Sequence, residues 1–195
     1  MAEIFLESKT IFPAAWLESV HALEVEIGCG RGKFLLDRAG LHPEINFLGI
    51  DRVAKWMRRS TLRAEKQQIG NLLFVKSDVR EVLLQIPAGS VSVFHIYFPD
   101  PWPKRRHRSR RLVTPDFLAL LSHRLGPGGL VEMATDDADY FLQMKKSAEQ
   151  TQVFWGPVRA SDGRLFGGVS THYENRFASR SLPLYYLELK KKGPE

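Results

Sequence analysis

The chain has a single cysteine, Cys29, in 195 residues. No intramolecular disulfide can form, so a small disulfide-stapled fold is excluded and a reducing compartment is expected. No apolar run approaches the ~20 residues of a membrane-spanning helix. The six histidines are scattered and none joins Cys29 at ligand spacing, so no metal site is expected. The amino terminus, Met1-Ala2-Glu3-Ile4-Phe5-Leu6-Glu7, lacks a basic leader with an apolar core, which makes the cytoplasm the expected location. Internal repeats, linkers and low-complexity tracts are also missing. What is present is 44 % apolar residues, enough for one domain with a sizeable core. Residues 1–195 are read as that domain, with the core at about 22–190. Lysine and arginine number 28 against 22 acids, a net charge of +6. The excess favours a polyanionic partner.

Apolar runs and breakers alternate along the chain. Strands are predicted at residues 23–27, 46–50, 71–76, 91–98 and 130–134, with a last one at 184–190. Helices are predicted from Lys33 to Ala39 and at 53–68, 79–85, 115–125 and 138–150. Thr114 is a good N-cap and Pro115 suits the first helical position. Gly126-Pro127-Gly128-Gly129 is expected to separate that helix from the fifth strand. The first 20 residues read as a lead-in with a turn at Pro13, and 151–170 as a weak strand and a glycine-rich loop. The order β-α-β-α-β-α-β-α-β-α followed by late strands predicts an α/β fold. Its sheet is mostly parallel and covered by helices on both faces.

In such a sheet, ligands bind beyond the carboxyl ends of the strands. Each expected strand end carries an acid: Glu26, Asp51, Asp78, Asp100 and Asp136. Five carboxylates on one edge call for something cationic or rich in donors among them. Gly28-x-Gly30-x-Gly32 allows a tight turn and close backbone approach, but it is not the G-x-G-x-x-G dinucleotide fingerprint. Asp51 suits a pair of ribose hydroxyls or a helix cap. Asp78 suits an adenine amino group or a cap, and Glu26 a ligand ammonium or solvent. A nicotinamide dinucleotide and S-adenosylmethionine both fit; the acidic edge and the absent third glycine favour the second.

The fourth strand runs into Phe98-Pro99-Asp100-Pro101-Trp102-Pro103-Lys104-Arg105-Arg106-His107-Arg108-Ser109-Arg110-Arg111. A carboxylate in a rigid aromatic turn thus meets six lysines and arginines, a reactive pocket beside a phosphate-binding surface. Trp102 either stacks on a base or anchors the loop between Pro101 and Pro103.

With these motifs in hand, residues from about 22 to 190 resemble the bacterial tRNA (guanine-N7-)-methyltransferase family. The specific segments are Glu26-Ile27-Gly28-Cys29-Gly30-Arg31-Gly32, Phe47-Leu48-Gly49-Ile50-Asp51, the Phe98–Arg111 stretch, Pro127-Gly128-Gly129, Ala134-Thr135-Asp136 and Thr171-His172-Tyr173-Glu174. The resemblance implies a Rossmann-like class I methyltransferase sheet of seven strands, the last antiparallel. It implies S-adenosylmethionine as cofactor, tRNA as partner and guanosine 46 of the variable loop as target. By position it implies cofactor contacts at Glu26, Gly28, Gly30, Asp51, Asp78 and Asp100, with Asp100 also catalytic. Substrate contacts fall on Lys104, Asp136, Thr171, His172, Tyr173 and Glu174. RNA contacts fall on Arg106, His107, Arg108, Ser109, Arg110 and Arg111. The chain departs from the family in having Asp51 where Glu is common, Ser109 within the basic run, and Asp137 where Trp is frequent. The sequence admits a monomer or a homodimer.

Overall fold

A computed structural model describes residues 5–7, 22–155, 169, 171, 173–174 and 183–193. Strand β1 is Phe5–Glu7, followed by β2 (Ala22–Ile27), helix α1 (Lys33–Leu41), β3 (Ile45–Asp51), α2 (Ala54–Lys66) and β4 (Leu72–Lys76). Then come α3 (Val79–Gln85), β5 (Val91–Tyr97), a 3-10 turn (Arg105–Arg110), α4 (Pro115–Arg124) and β6 (Leu125–Thr135). Helix α5 (Ala138–Thr151), β7 (Phe154–Trp155) and β8 (Tyr185–Lys191) complete the described elements. The predicted lead-in turn at Pro13 lies outside the described residues.

The strands form one sheet in the order β1-β4-β3-β2-β5-β6-β8-β7. Neighbours from β1 to β6 are parallel, whereas β8 runs antiparallel to both β6 and β7. The sheet therefore has eight described strands, not seven: Phe5–Glu7, read as part of a lead-in, pairs with Phe74–Lys76 at the outer edge. The chain winds outward from β2 through β3 and β4, then crosses to β5 on β2's other side. The order reverses between β2 and β5, so a crevice opens at the carboxyl ends of those two strands.

Side-chain alternation explains the faces. In β2, Leu23, Val25 and Ile27 join a core with Phe117, Leu121 and Tyr140, under α3, α4 and α5. The opposite face packs Phe34 and Leu35 of α1 against Phe47 and Phe74. Glu24 and Glu26 must point into that second layer, where both are buried. The start of α4 forms as predicted: Thr114 caps it by accepting from the Phe117 amide, with Pro115 in the first turn.

Gly126-Pro127-Gly128-Gly129 does not separate helix from strand, because β6 begins at Leu125. Leu125 pairs with Val91 and Leu130 with Val93, so the extra residues are absorbed as an irregularity in the ladder. The glycines permit this close approach. A Cβ on Gly126 would lie 3.0 Å from the Gly89 carbonyl oxygen, and one on Gly129 would lie 2.9 Å from the Leu125 side chain.

Candidate active site

The turn after β2 is pinned to the end of β3. The Gly28 and Cys29 amides donate to the Ile50 carbonyl at 2.8 and 3.2 Å, and the Gly30 amide donates to Asp51 Oδ2 at 2.8 Å. Gly28 and Gly30 have φ of +79° and +51°, which side chains other than glycine disfavour. A Cβ on Gly28 would meet nothing within 4 Å. The turn is thus a rigid backbone cradle with open space on its outer side. Cys29 is buried, and burial raises its thiol well above the ordinary range, so it is packing rather than a nucleophile.

Glu26 lies under this cradle. It is 5 % exposed and its Oε2 has no hydrogen-bond partner. Burial pushes its carboxyl up to about 8, Asp51 adds to the rise, and His95 opposes it. A buried acceptor without a donor is costly unless a ligand supplies the donor. An ammonium group is the matching chemistry, and the donor set of the crevice fits S-adenosylmethionine on this ground.

Asp51 is engaged by the fold itself, since Oδ1 accepts from the Val53 amide at 2.8 Å and Oδ2 from Gly30. Each oxygen keeps a further lone pair, so the two backbone bonds orient the carboxylate without exhausting it. Asp78 caps α3, accepting from the Arg80 amide at 2.9 Å, and pairs with Arg52. Partial burial opposes ionisation there, but the Arg80 amide and Arg52 hold the carboxyl below its ordinary range. Asp51 is not a helix cap, because the N-cap of α2 is Val53 and no side chain caps that helix; Asp78 does cap α3, and that role is compatible with a ligand contact.

The Phe98–Arg111 stretch begins with two unusual backbone positions, Phe98 at φ +53° and Trp102 at φ +44°. Both are left-handed conformations that a bulky residue adopts only when its surroundings impose them. Two clamps do so. The Phe98 amide donates to the Ala134 carbonyl at 2.8 Å, and Arg111 Nε donates to the Pro101 carbonyl at 2.7 Å. Between them Asp100 is exposed at the mouth of the crevice. Trp102 is partly covered by its own loop, with the Arg110 guanidinium 5.0 Å from its ring centre and His107 against its edge. The loop-anchor reading of Trp102 is the one this packing favours.

Arg111 departs from the expectation of an RNA contact. It is 3 % exposed; Nη1 donates to Gln143 at 2.8 Å, Nη2 pairs with Asp139 at 2.7 Å, and the guanidinium stacks 4.8 Å from the Tyr140 ring centre. A side chain so enclosed braces the loop and does not meet phosphate. Lys104, Arg106, Arg108, Ser109 and Arg110 are exposed and His107 is half-buried, so the short 3-10 turn presents the remaining basic side chains outward.

Thr171 and Glu174 also differ from a substrate-contacting pair. The Glu174 amide donates to Thr171 Oγ1 at 3.0 Å and the Thr171 amide to Glu174 Oε2 at 2.7 Å, a reciprocal capping box. The Tyr186 hydroxyl donates to Glu174 Oε1 at 3.0 Å. Both residues are buried and turned on each other. Tyr173 is the exposed member of the motif, 5.9 Å from the Phe98 ring centre, and His172 lies outside the described residues. Asp136 is exposed at the end of β6.

One feature was missed from the sequence. Behind Glu26, on the α1 side of the sheet, Glu24, Arg38, His95, Tyr97 and Glu132 form a buried polar network. Glu24 takes both Arg38 Nη2 at 2.7 Å and Nε at 2.9 Å. Its one trace in the sequence is an acid, Glu24, inside a strand of a sheet covered on both faces; the partners of Glu24 are 14 and 71 residues away.

Among the described residues no helix is long and apolar enough to cross a membrane, and no group of three or more His, Cys, Asp or Glu side chains could hold a metal ion.

A glycine cradle, a buried acid without a hydrogen-bond partner and a carboxylate at the end of β3 stand together at the switch point of a doubly wound sheet, an arrangement that suits a nucleoside-bearing cofactor such as S-adenosylmethionine. Residues 21–187 match a family model described as "Putative methyltransferase". A tRNA (guanine-N(7)-)-methyltransferase from Halalkalibacterium halodurans is 34 % identical over 90 % of this chain and 84 % of its own. One from Limosilactobacillus fermentum is 33 % identical over 96 % and 92 %. The chain belongs to the tRNA (guanine-N7-)-methyltransferase family. Among solved structures, the 16S rRNA (adenine(1408)-N(1))-methyltransferase from Catenulisporales acidiphilia superposes with a TM-score of 0.64 at 18 % identity, covering 93 % of each chain. That likeness concerns the fold alone.

Proposed function

We propose that this protein transfers the methyl group of S-adenosylmethionine to N7 of a guanosine in tRNA, and that the target is position 46 of the variable loop. Residues 1–195 act as one methyltransferase domain. The observation that carries the reading is the placement of Glu26, buried and lacking a donor, at the same strand edge as exposed Asp100 and the basic turn.

The bound cofactor supplies an electrophilic methyl group on a sulfonium. Glu26 receives the ammonium, Gly28 and Gly30 allow close backbone approach, Asp51 receives ribose hydroxyls and Asp78 the adenine amino group. Guanine N7 already carries an in-plane lone pair and no proton, so no general base is required. The chain's task is alignment and exclusion of water. Asp100 accepts from the guanine N1–H or amino group and offsets the positive charge the base acquires. Lys104, Asp136 and Tyr173 line the approach of the base. Arg106, His107, Arg108, Ser109 and Arg110 hold the RNA backbone, an electrostatic contact that weakens with salt. The base leaves its stack to reach this pocket.

The test is incubation with labelled S-adenosylmethionine and unmodified tRNA, followed by nucleoside analysis. Label in 7-methylguanosine, lost when position 46 is replaced by adenosine, is the expected result. Label in another nucleoside, or only in ribosomal RNA, refutes the assignment. Asp100→Ala should abolish transfer while leaving the melting temperature unchanged.

A further inference from the structure

The network behind Glu26 is more than packing, and its hydrogen bonds fix the charge of its central residue. His95 is fully buried. Its Nε2 lies 3.0 Å from Glu24 Oε2, and its Nδ1 lies 2.8 Å from the Tyr97 hydroxyl and 3.2 Å from Glu132 Oε2. The Tyr97 hydroxyl donates to Glu132 Oε2 at 2.7 Å, so its oxygen is left to accept from Nδ1. Carboxylates only accept, so both ring nitrogens must carry protons. His95 is an imidazolium held between two acids. Arg38 neutralises Glu24, and its guanidinium is flanked by the Phe34 and Phe47 rings at 5.9 and 5.8 Å.

This cation stands directly beside the cofactor acid. His95 on β5 is the register partner of Glu26 on β2, on the same face of the sheet. The other ionisable groups around Glu26 are Asp51 at the end of β3, Cys29 in the following turn, Tyr97 on β5, and Glu24 two residues back on its own strand. Arg38 from α1 and Glu132 from β6 reach it through the network. Of these, Asp51 disfavours a negative charge on Glu26, and His95 favours one.

We infer that His95 is a positioning residue of the cofactor site, whose fixed positive charge lets Glu26 give up a proton when an ammonium-bearing cofactor binds. In the ligand-free protein Glu26 is an uncharged carboxylic acid at neutral pH. On binding, its O–H bond breaks, the proton leaves to buffer, and the carboxylate pairs with the cofactor ammonium. Cofactor binding is therefore coupled to proton release, and the network sets the pH at which the coupling acts. The inference rests on the reading of Glu26 as the ammonium site.

The experiment is calorimetric titration with S-adenosylhomocysteine across about pH 6 to 8.5, in buffers of different ionisation enthalpy; the ligand's ammonium, beside its own carboxylate, titrates above that range. Wild type should release close to one proton near neutral pH and lose affinity by about tenfold per pH unit below the Glu26 midpoint. Methylthioadenosine, which lacks the ammonium, should bind with no proton release. Glu26→Gln should abolish the release and weaken S-adenosylhomocysteine. His95→Gln should shift the sloping limb of the affinity profile, and with it the midpoint, up by about one pH unit, read as binding about tenfold weaker at pH 7. A purely structural role for His95 would alter melting temperature and leave that midpoint in place, which overturns the inference.

If Glu26→Gln binds S-adenosylhomocysteine as wild type does, the ammonium-site reading itself fails. If the His95→Gln protein does not fold, nitrogen-15 NMR of wild type decides. Two protonated ring nitrogens on His95 at pH 8 support the inference, and a neutral ring overturns it.

Discussion

Replacing Arg111 tests whether the basic run is a uniform RNA grip or a grip with an internal brace. Arg111→Ala removes donors to the Pro101 carbonyl at 2.7 Å and to Gln143 at 2.8 Å, together with the stack on Tyr140. Charge-assisted bonds of this kind are each worth about 1.5–3 kcal/mol. The cation–π contact adds about 1 kcal/mol. The pair with Asp139 contributes about 0–1 kcal/mol, because that carboxylate is 48 % exposed and stays solvated when its partner goes. The expected loss is about 4 kcal/mol, taking the lower end for the hydrogen bonds. For a chain of this size that lowers the melting temperature by about 10 °C. Arg111→Lys should recover only part of this, since an ammonium cannot span both acceptors in a fixed fork. The assays are thermal and urea denaturation, paired with tRNA affinity against salt. Arg111→Ala should weaken binding by loosening the loop while leaving the slope of log affinity on log salt nearly intact. Arg106→Ala should reduce that slope by about 0.7–0.9 with little change in stability. An Arg111→Ala protein that melts like wild type yet loses one unit of salt slope would refute the brace.

Other consequences are separable. Glu26, with its carboxyl raised to about 8 from an unfolded value of 4.5, makes the ligand-free protein most stable below the unfolded value. That contribution declines as pH rises from 4.5 to about 8 and is gone above it. Glu26→Gln should flatten this part of the stability profile in urea titrations, and an unchanged profile would mean the acid is already ionised. Thr171→Ala removes half of the capping box and should cost about 1 kcal/mol, read as a lower denaturation midpoint with unchanged cofactor affinity. Loss of tRNA affinity without loss of stability would return Thr171 to the substrate. Trp102→Ala should reduce methyl transfer by freeing the loop that carries Asp100, whereas binding of S-adenosylhomocysteine should hold within about twofold.

Local chemistry made much of the molecule legible in the chain itself. Period-2 alternation placed β2, Thr114 and Pro115 placed the start of α4, and the acids after successive strands marked the edge where the crevice opens. These signals act over a few residues, so the sequence alone determines them. The same local view failed where long-range pairing took over. Gly126–Gly129 reads as a break, yet pairing of Leu125 with Val91 draws it into the sheet. Arg111 reads like its basic neighbours, but Gln143 and Asp139 of α5, distant in sequence, enclose it. Thr171 and Glu174 read as a binding motif, whereas the structure buries both and bonds them to each other and to Tyr186. The charge on His95 was beyond reach of any sequence rule. It depends on Glu24 and Glu132, 71 and 37 residues away, arriving at one buried point where water cannot screen them. Sequence alone thus determined which chemistry stands at the strand ends; tertiary structure decided which charged side chains stay exposed beside the crevice and which are enclosed to hold it in place, because burial and pairing are set by contacts remote along the chain.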